Sequence, residues 1–227
     1  MSPSCIRRFL AVYWITVLVQ PAPGAERHPV SGRRIAPVMG AGAADWLVRP
    51  EREREENPDL ALELIGIPEG ITVADIGAGV GYYSLKFAER VGPRGKVYAT
   101  DLQPEMLRLL RTRVQKAGVK NVVAVPGGVS ETNLPDGQMD LVFLADVYHE
   151  FSEPQRMLAS IARAMKPDAR LVLLEFRAED PNVPIREEHK MTVAVARQEL
   201  EAEKFRLEKV IPGLPWQHIL VFRKAAP

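Results

Sequence analysis

Cysteine is almost missing: Cys5 is the only one in 227 residues. A disulfide scaffold, a cysteine-ligated zinc or iron–sulfur centre and thiolate catalysis in the body of the protein are therefore excluded. An excess of charge is missing too, with 30 Lys and Arg against 29 Asp and Glu. Nothing in the composition draws the chain to nucleic acid or anionic lipid. Long apolar runs are absent: Phe9 to Val19 is too short to cross a bilayer. No cluster of acids and histidines at ligand spacing stands out, so no metal site is expected. Hydrophobic residues at 46% and charged residues at 26% are those of an ordinary globular chain.

The first residues have the pattern of a secretory leader. Arg7 and Arg8 precede the apolar run, and Pro21-Ala22-Pro23-Gly24-Ala25 follows it. Residues 1–24 are read as a signal peptide, which implies export to a periplasm or medium; a loose amphipathic tail on a cytoplasmic protein is the other reading. Residues 25–57 read as an arm, rich in Gly, Ala, Pro and Arg without a sustained period. Its charged run, Arg49 to Glu56, reads as a solvated helical face with an attractive Arg52–Glu56 pair and a repulsive Glu51–Glu55 pair. Alternatively, Trp46 and this run fold over a ligand cleft as a lid.

Residues 58–227 read as one α/β domain. A helix over 60–65 capped by Asp59 comes first, and then strands alternate with helices. The strands are expected at 72–76, 96–100, 121–125, 139–144 and 170–175, and the helices at 83–91, 104–117, 153–165 and 190–203. A closing antiparallel pair is expected at 206–211 and 218–223. Such alternation means an open, doubly wound, mostly parallel sheet with helices on both faces and ligands at the carboxyl ends of its strands.

The informative stretch is Asp75-Ile-Gly77-Ala-Gly79-Val-Gly81. Glycines at alternate positions turn the chain sharply and let a ligand lie against bare backbone. Twenty residues beyond Gly81, Asp101 ends the second strand, where a carboxylate can accept both hydroxyls of a ribose. The dinucleotide fingerprint needs a glycine where Tyr82 stands, and Asp75 would repel a pyrophosphate. A sulfonium carrying an amino group meets no such objection.

These residues resemble the first motif of class I S-adenosylmethionine-dependent methyltransferases. Further segments match in order: Val97 to Met106 with Asp101, Met139 to Phe151 with Asp146, and Lys166 to Phe176. The resemblance implies a seven-stranded sheet of order 3-2-1-4-5-7-6 with the last strand antiparallel, and S-adenosyl-L-methionine as cofactor. It implies that Gly77, Gly79 and Gly81 approach the methionine moiety and that Asp75 binds its amino group. Asp101 would take the ribose and Leu102 the adenine face. The family's acid after the third strand is missing from Gly127 to Pro135, which leaves Ser130, Glu131 or backbone for the adenine amino group.

Methyl transfer from a sulfonium needs an aligned nucleophile, and a base when that nucleophile is a hydroxyl or carbon acid. Asp146, Tyr148, His149 and Glu150 occupy the loop after the fourth strand, and Glu175 the end of the fifth. His149 is the candidate base, Asp146 and Tyr148 its neighbours in the catalytic set; a hydrogen bond to the cofactor or helix packing is the bland alternative for His149. His189 is a candidate for the acceptor side or, more blandly, for a solvated helix start. No Asn/Asp-Pro-Pro-aromatic tetrad follows the fourth strand, so a nucleic-acid acceptor is disfavoured. The expectation is a methyltransferase acting on the oxygen or carbon of a small molecule, nearest in pattern to quinone and lipid-precursor enzymes. A non-catalytic binding module on the same fold and a nicotinamide oxidoreductase are the alternatives.

Overall fold

The computed structural model describes residues 26–225; the expected signal peptide lies outside the described residues. Strand β1 (Thr72–Ile76) leads into helix α3 (Tyr82–Val91), β2 (Lys96–Asp101) into α4 (Pro104–Ala117), and β3 (Val122–Pro126) forms an edge. Strand β4 (Met139–Ala145) precedes α5 (Pro154–Ala164), which runs directly into β5 (Met165–Arg177). A two-residue strand β6 (Lys190–Met191), helix α6 (Val193–Ala202), β7 (Phe205–Ile211) and β8 (Gln217–Lys224) complete the sheet.

The strand order is β3-β2-β1-β4-β5-β8-β7, with β6 paired to β5. Strands β1 to β6 run parallel, and β8 is antiparallel to both β5 and β7. Setting β6 aside, this is the expected order. The extra strand corrects the helix expected over 190–203: Lys190 and Met191 pair with Phe176 and Arg177. The helix begins only where the Thr192 side chain accepts the Val195 N–H at 3.1 Å.

Side-chain alternation along the central strands builds two cores, one per face. Val73, Leu141, Phe143 and Val172 pack with Phe87 and Val91 of α3 on one face. Ala74, Ile76, Val142 and Leu144 pack with Leu158 and Ile161 of α5 on the other. Because both faces are covered, β1 and β4 read as near-continuous apolar runs.

The arm does not trail in solvent. It has a 3-10 helix, Ala41–Val48, then a single helical turn α1 (Arg52–Glu55) and helix α2 (Pro58–Ile65). Two expectations are corrected here. Asn57, in a left-handed conformation at φ 50°, caps α2 by accepting the Leu60 N–H; Asp59 instead binds Lys86 and Arg90 of α3 at 3.0 and 2.9 Å. The Arg52–Glu56 pair forms, at 2.6 Å, but inside the protein, with Arg52 4% exposed and Glu56 fully buried. Glu51, Glu53 and Arg54 of the same run are exposed, so the solvated reading fails only at the Arg52–Glu56 pair.

The start of the arm is pinned to α6 and to the loop after β4. Glu199 of α6, fully buried, meets Arg33 Nε at 2.8 Å, His28 Nε2 at 3.3 Å and the Ser31 hydroxyl. Arg33 also donates to the His149 carbonyl at 3.0 Å, and so does the Ala36 N–H. Among the described residues no helix is long and apolar enough to cross a membrane.

Candidate functional site

A cleft of about 470 Å³ opens at the carboxyl ends of β1, β2, β4 and β5, where an open α/β sheet places its ligands. The first wall is the turn after β1. Gly77 and Gly79 have φ of 66° and 54°, which side-chain-bearing residues rarely adopt. A Cβ on Gly77 would stand 2.6 Å from the Val147 side chain, and one on Gly79 would stand 2.7 Å from Leu47 Cδ1. Both glycines line the cleft; Gly81 does not, and its place is the N-cap of α3, against Leu110.

Asp101 closes the next wall. Its Oδ2 accepts the Gly79 N–H at 2.9 Å and its Oδ1 the Gln103 N–H at 2.8 Å, so strand end and glycine turn are locked together. Burial raises its carboxyl above the usual range, and the two N–H donors partly offset that. Leu102 stands beside it on the cleft, half-exposed, and Gly127 and Gly128 supply bare backbone on the same side.

Asp75 sits behind the turn rather than in the cleft. It is buried, its Oδ2 accepts the Ser84 hydroxyl at 2.6 Å, and burial pushes its carboxyl up to about 7 against the opposing pull of Ser84 and Arg52. Glu131 is outside the cleft and pairs with Arg163 on the surface at 2.6 Å. Of the groups expected at the adenine amino group, Glu131 is thus displaced, and the backbone of Gly127 and Gly128 is what the cleft offers.

The floor is the loop after β4. Asp146 adopts a left-handed conformation, φ 53°, with Oδ2 accepting from Gln217 Nε2 at 2.7 Å and Oδ1 buried without a protein partner. Burial and the neighbouring Glu56 and Glu175 hold its carboxyl well above the ordinary range, with Arg52 opposing. Tyr148, expected in the catalytic set, turns away: its ring is wholly buried and its hydroxyl faces His28 Nε2 at 3.3 Å.

His149 faces the cleft. Its Nδ1 lies 2.6 Å from Glu175 Oε2, while Glu175 Oε1 accepts the Tyr148 N–H at 3.1 Å. With Nδ1–H donated to the carboxylate, Nε2 is left as the acceptor nitrogen of the ring. It meets His189 Nδ1 at 3.1 Å. His189 lies in the 3-10 turn Glu187–His189 and lines the cleft, not a solvated helix start. Burial, then the charge of His149, lower its pKa. Glu150, also on the cleft, accepts the Met39 N–H at 3.3 Å, and burial raises its carboxyl to about 7.

The remaining wall is one that sequence reasoning left as an alternative. Val38, Met39, Ala43, Trp46, Leu47 and Arg52 of the arm line the cleft. Phe151, Met157, Phe176, Pro184 and Ile185 also line it. The arm has no helical period of its own to announce this role; only the Arg52–Glu56 spacing hinted at a fixed structure.

The residues present fit a nucleoside sulfonium. Carboxylates outnumber cations around the floor, Asp146 has an unpartnered buried oxygen, and the glycine turn would be blocked by any Cβ. Among the described residues, His149, Glu150 and His189 are also the one group whose metal-ligating atoms all lie within 4.8 Å of each other. The fold assembles this group across 40 residues of sequence, so no ligand spacing announces it.

Comparison with known proteins agrees with this fold. A family model described as a methyltransferase domain matches residues 74–173. The ubiquinone/menaquinone biosynthesis C-methyltransferase UbiE of Pseudomonas fluorescens is 36% identical over 117 residues, 51% of this chain and 46% of the relative. UbiE of Psychromonas ingrahamii is 35% identical over 112 residues, 49% and 45% of the two chains. The chain thus spans about half the length of the curated relatives it matches. The crystal structure of a SAM-dependent methyltransferase from Aquifex aeolicus superposes with a TM-score of 0.77 at 30% identity, covering 82% of this chain and 98% of that one. With the fold and the near-complete Aquifex match in agreement, the chain belongs to the S-adenosylmethionine-dependent methyltransferases.

Proposed function

We propose that the protein methylates a small, largely apolar molecule at an oxygen or at a carbon made nucleophilic by a neighbouring oxygen. The single observation that carries this reading is His149 on the wall of a largely apolar cleft, held by buried Glu175. S-Adenosylmethionine supplies an electrophilic methyl group on a sulfonium. The protein's part is to align the acceptor with it and to receive a proton.

In this reading Gly77 and Gly79 give backbone room to the methionine end, and Asp101 and Leu102 receive ribose and adenine. Asp75 and Asp146 supply negative charge for the donor's ammonium, Asp75 from behind the turn and Asp146 through its unpartnered oxygen. His149 Nε2 is the acceptor-side group, and Glu175 positions it by fixing the Nδ1–H tautomer. The apolar wall formed by Val38, Trp46, Pro184 and Ile185 suits an aromatic or prenylated acceptor. Similarity to the UbiE enzymes, whose name specifies carbon methylation in quinone biosynthesis, supports the same class. A charge-balanced composition supports a small molecule over nucleic acid.

Two measurements test the reading. Calorimetric titration with S-adenosylhomocysteine should show saturable binding that Asp101→Ala weakens at least tenfold. Cell extract incubated with the enzyme and methyl-labelled donor should yield a labelled small molecule by mass spectrometry, and yield much less with His149→Ala. Binding without any labelled product would instead favour a non-catalytic module.

A further inference from the structure

We infer that His149, Glu150 and His189 form a site for one divalent transition-metal ion whose open position takes an oxygen of the methyl acceptor. The ion's role rests on the methyl-transfer reading above; its binding does not. Three observations carry the inference. The ligand-bearing atoms of the three side chains lie within 4.8 Å of one another. His149 Nε2 and His189 Nδ1 are 3.1 Å apart, and two ligands about 2.1 Å from one ion at tetrahedral or octahedral angles stand about 3.0–3.4 Å apart. His149 is backed by Glu175, whose carboxylate accepts Nδ1–H at 2.6 Å while its other oxygen holds the Tyr148 N–H. A carboxylate behind a histidine is the arrangement that fixes the tautomer of a metal-binding imidazole and raises its basicity.

Two histidines and one carboxylate are donors for zinc, iron, cobalt or manganese rather than for magnesium or calcium, which prefer all-oxygen sets. Three protein ligands leave at least one position open, the pattern of a catalytic and not a structural ion. All three side chains line the cleft, so that position opens toward the ligand space. With His149 Nε2 engaged as a ligand, the ion takes over the activation that a free imidazole would give: an acceptor hydroxyl bound there releases its proton to solvent and remains as an oxyanion, the state in which it, or an adjacent carbon, attacks a methyl group. The chemical class so selected is a phenol or enol. The arm secures the loop that carries two of the ligands, through Arg33 and Ala36 on the His149 carbonyl and Met39 on Glu150.

The test uses the tag-free full chain, stripped with a chelator and titrated with Co²⁺ while visible absorption is recorded. The expected result is one Co²⁺ per chain with ligand-field bands of a nitrogen- and oxygen-ligated ion, without thiolate charge-transfer bands from Cys5. His189→Ala and Glu150→Gln should each weaken Co²⁺ at least tenfold, and Glu175→Gln should weaken it about 10–100-fold through the ligand it supports. Adding catechol should shift the bands of the wild-type complex. Thermal melting checks that each variant folds; His189 and Glu150 are incompletely buried, so these two variants keep the test open if the buried positions do not fold. Absence of stoichiometric Co²⁺ binding, or affinity unchanged in His189→Ala, would overturn the site and leave His149 and His189 a hydrogen-bonded pair. Bands unmoved by catechol would overturn the open position. Titration with S-adenosylhomocysteine in the presence of chelator reads the donor site separately, so the two readings fail independently.

Discussion

At Gly77 and Gly79 the geometry leaves no substitute. Gly77→Ala places a Cβ at φ 66°, 2.6 Å from Val147, and should cost about 1–3 kcal/mol in a urea denaturation series, from backbone strain and a displaced valine. Binding of S-adenosylhomocysteine should fall with it, since Val147 lines the cleft. Asp75 predicts a pH dependence. Its folded-state value of about 7 lies above the unfolded value of about 4. The folded protein therefore keeps a proton that the unfolded chain has lost, and this group removes stability as pH rises between about 4 and 7. Asp75→Asn should flatten that slope in stability curves taken at successive pH values. A bound ammonium favours the carboxylate, so wild-type affinity for S-adenosylhomocysteine should rise between pH 6 and 8 while that of Asp75→Asn stays level. Residues on the glycine turn were legible because their spacing is a backbone requirement. The swing of Tyr148 into the core was not, because it depends on His28, 120 residues earlier.

Among the elements, the arm and α6 depend on each other. Arg33→Met would leave the fully buried Glu199 without its guanidinium, a change expected to cost about 3–5 kcal/mol. Adding Glu199→Gln should restore part of that loss, and a double-mutant cycle in urea measures the coupling. Strands β1 and β4 and the second half of β5 could be read from the sequence because each is a mainly apolar run bounded by turn signals; the start of β5 at Met165 could not, because Lys166-Pro167 reads as a helix stop. Strand β6 could not: two residues carry no period, and Lys190 looks like a surface residue until its backbone pairs with Phe176. The arm was equally opaque, since its contacts come from scattered residues that meet α4, α6 and the β4 loop only in the folded chain. His189 joins His149 for the same reason, across 40 residues of sequence.

Taken whole, the molecule closes its ligand space with the segment preceding the sheet. Gln103 beyond β2 binds Met39 and Ala41, and Glu150 beyond β4 binds Met39. One stretch of arm thus bridges both sides of the cleft. Donor binding should slow amide hydrogen exchange across residues 38–47 as strongly as in the glycine turn. Exchange unchanged in the arm would show that it is only a wall.

The unequal charge of the floor has a consequence for turnover. In the proposed reading, methyl transfer removes the sulfonium charge, so the spent thioether gains less than the donor from Asp146, which lines the cleft with an unpartnered carboxylate oxygen. Such a site discriminates between the two by charge alone and favours departure of the by-product. Inhibition by S-adenosylhomocysteine should then be weak relative to donor affinity, and the preference should shrink in Asp146→Asn.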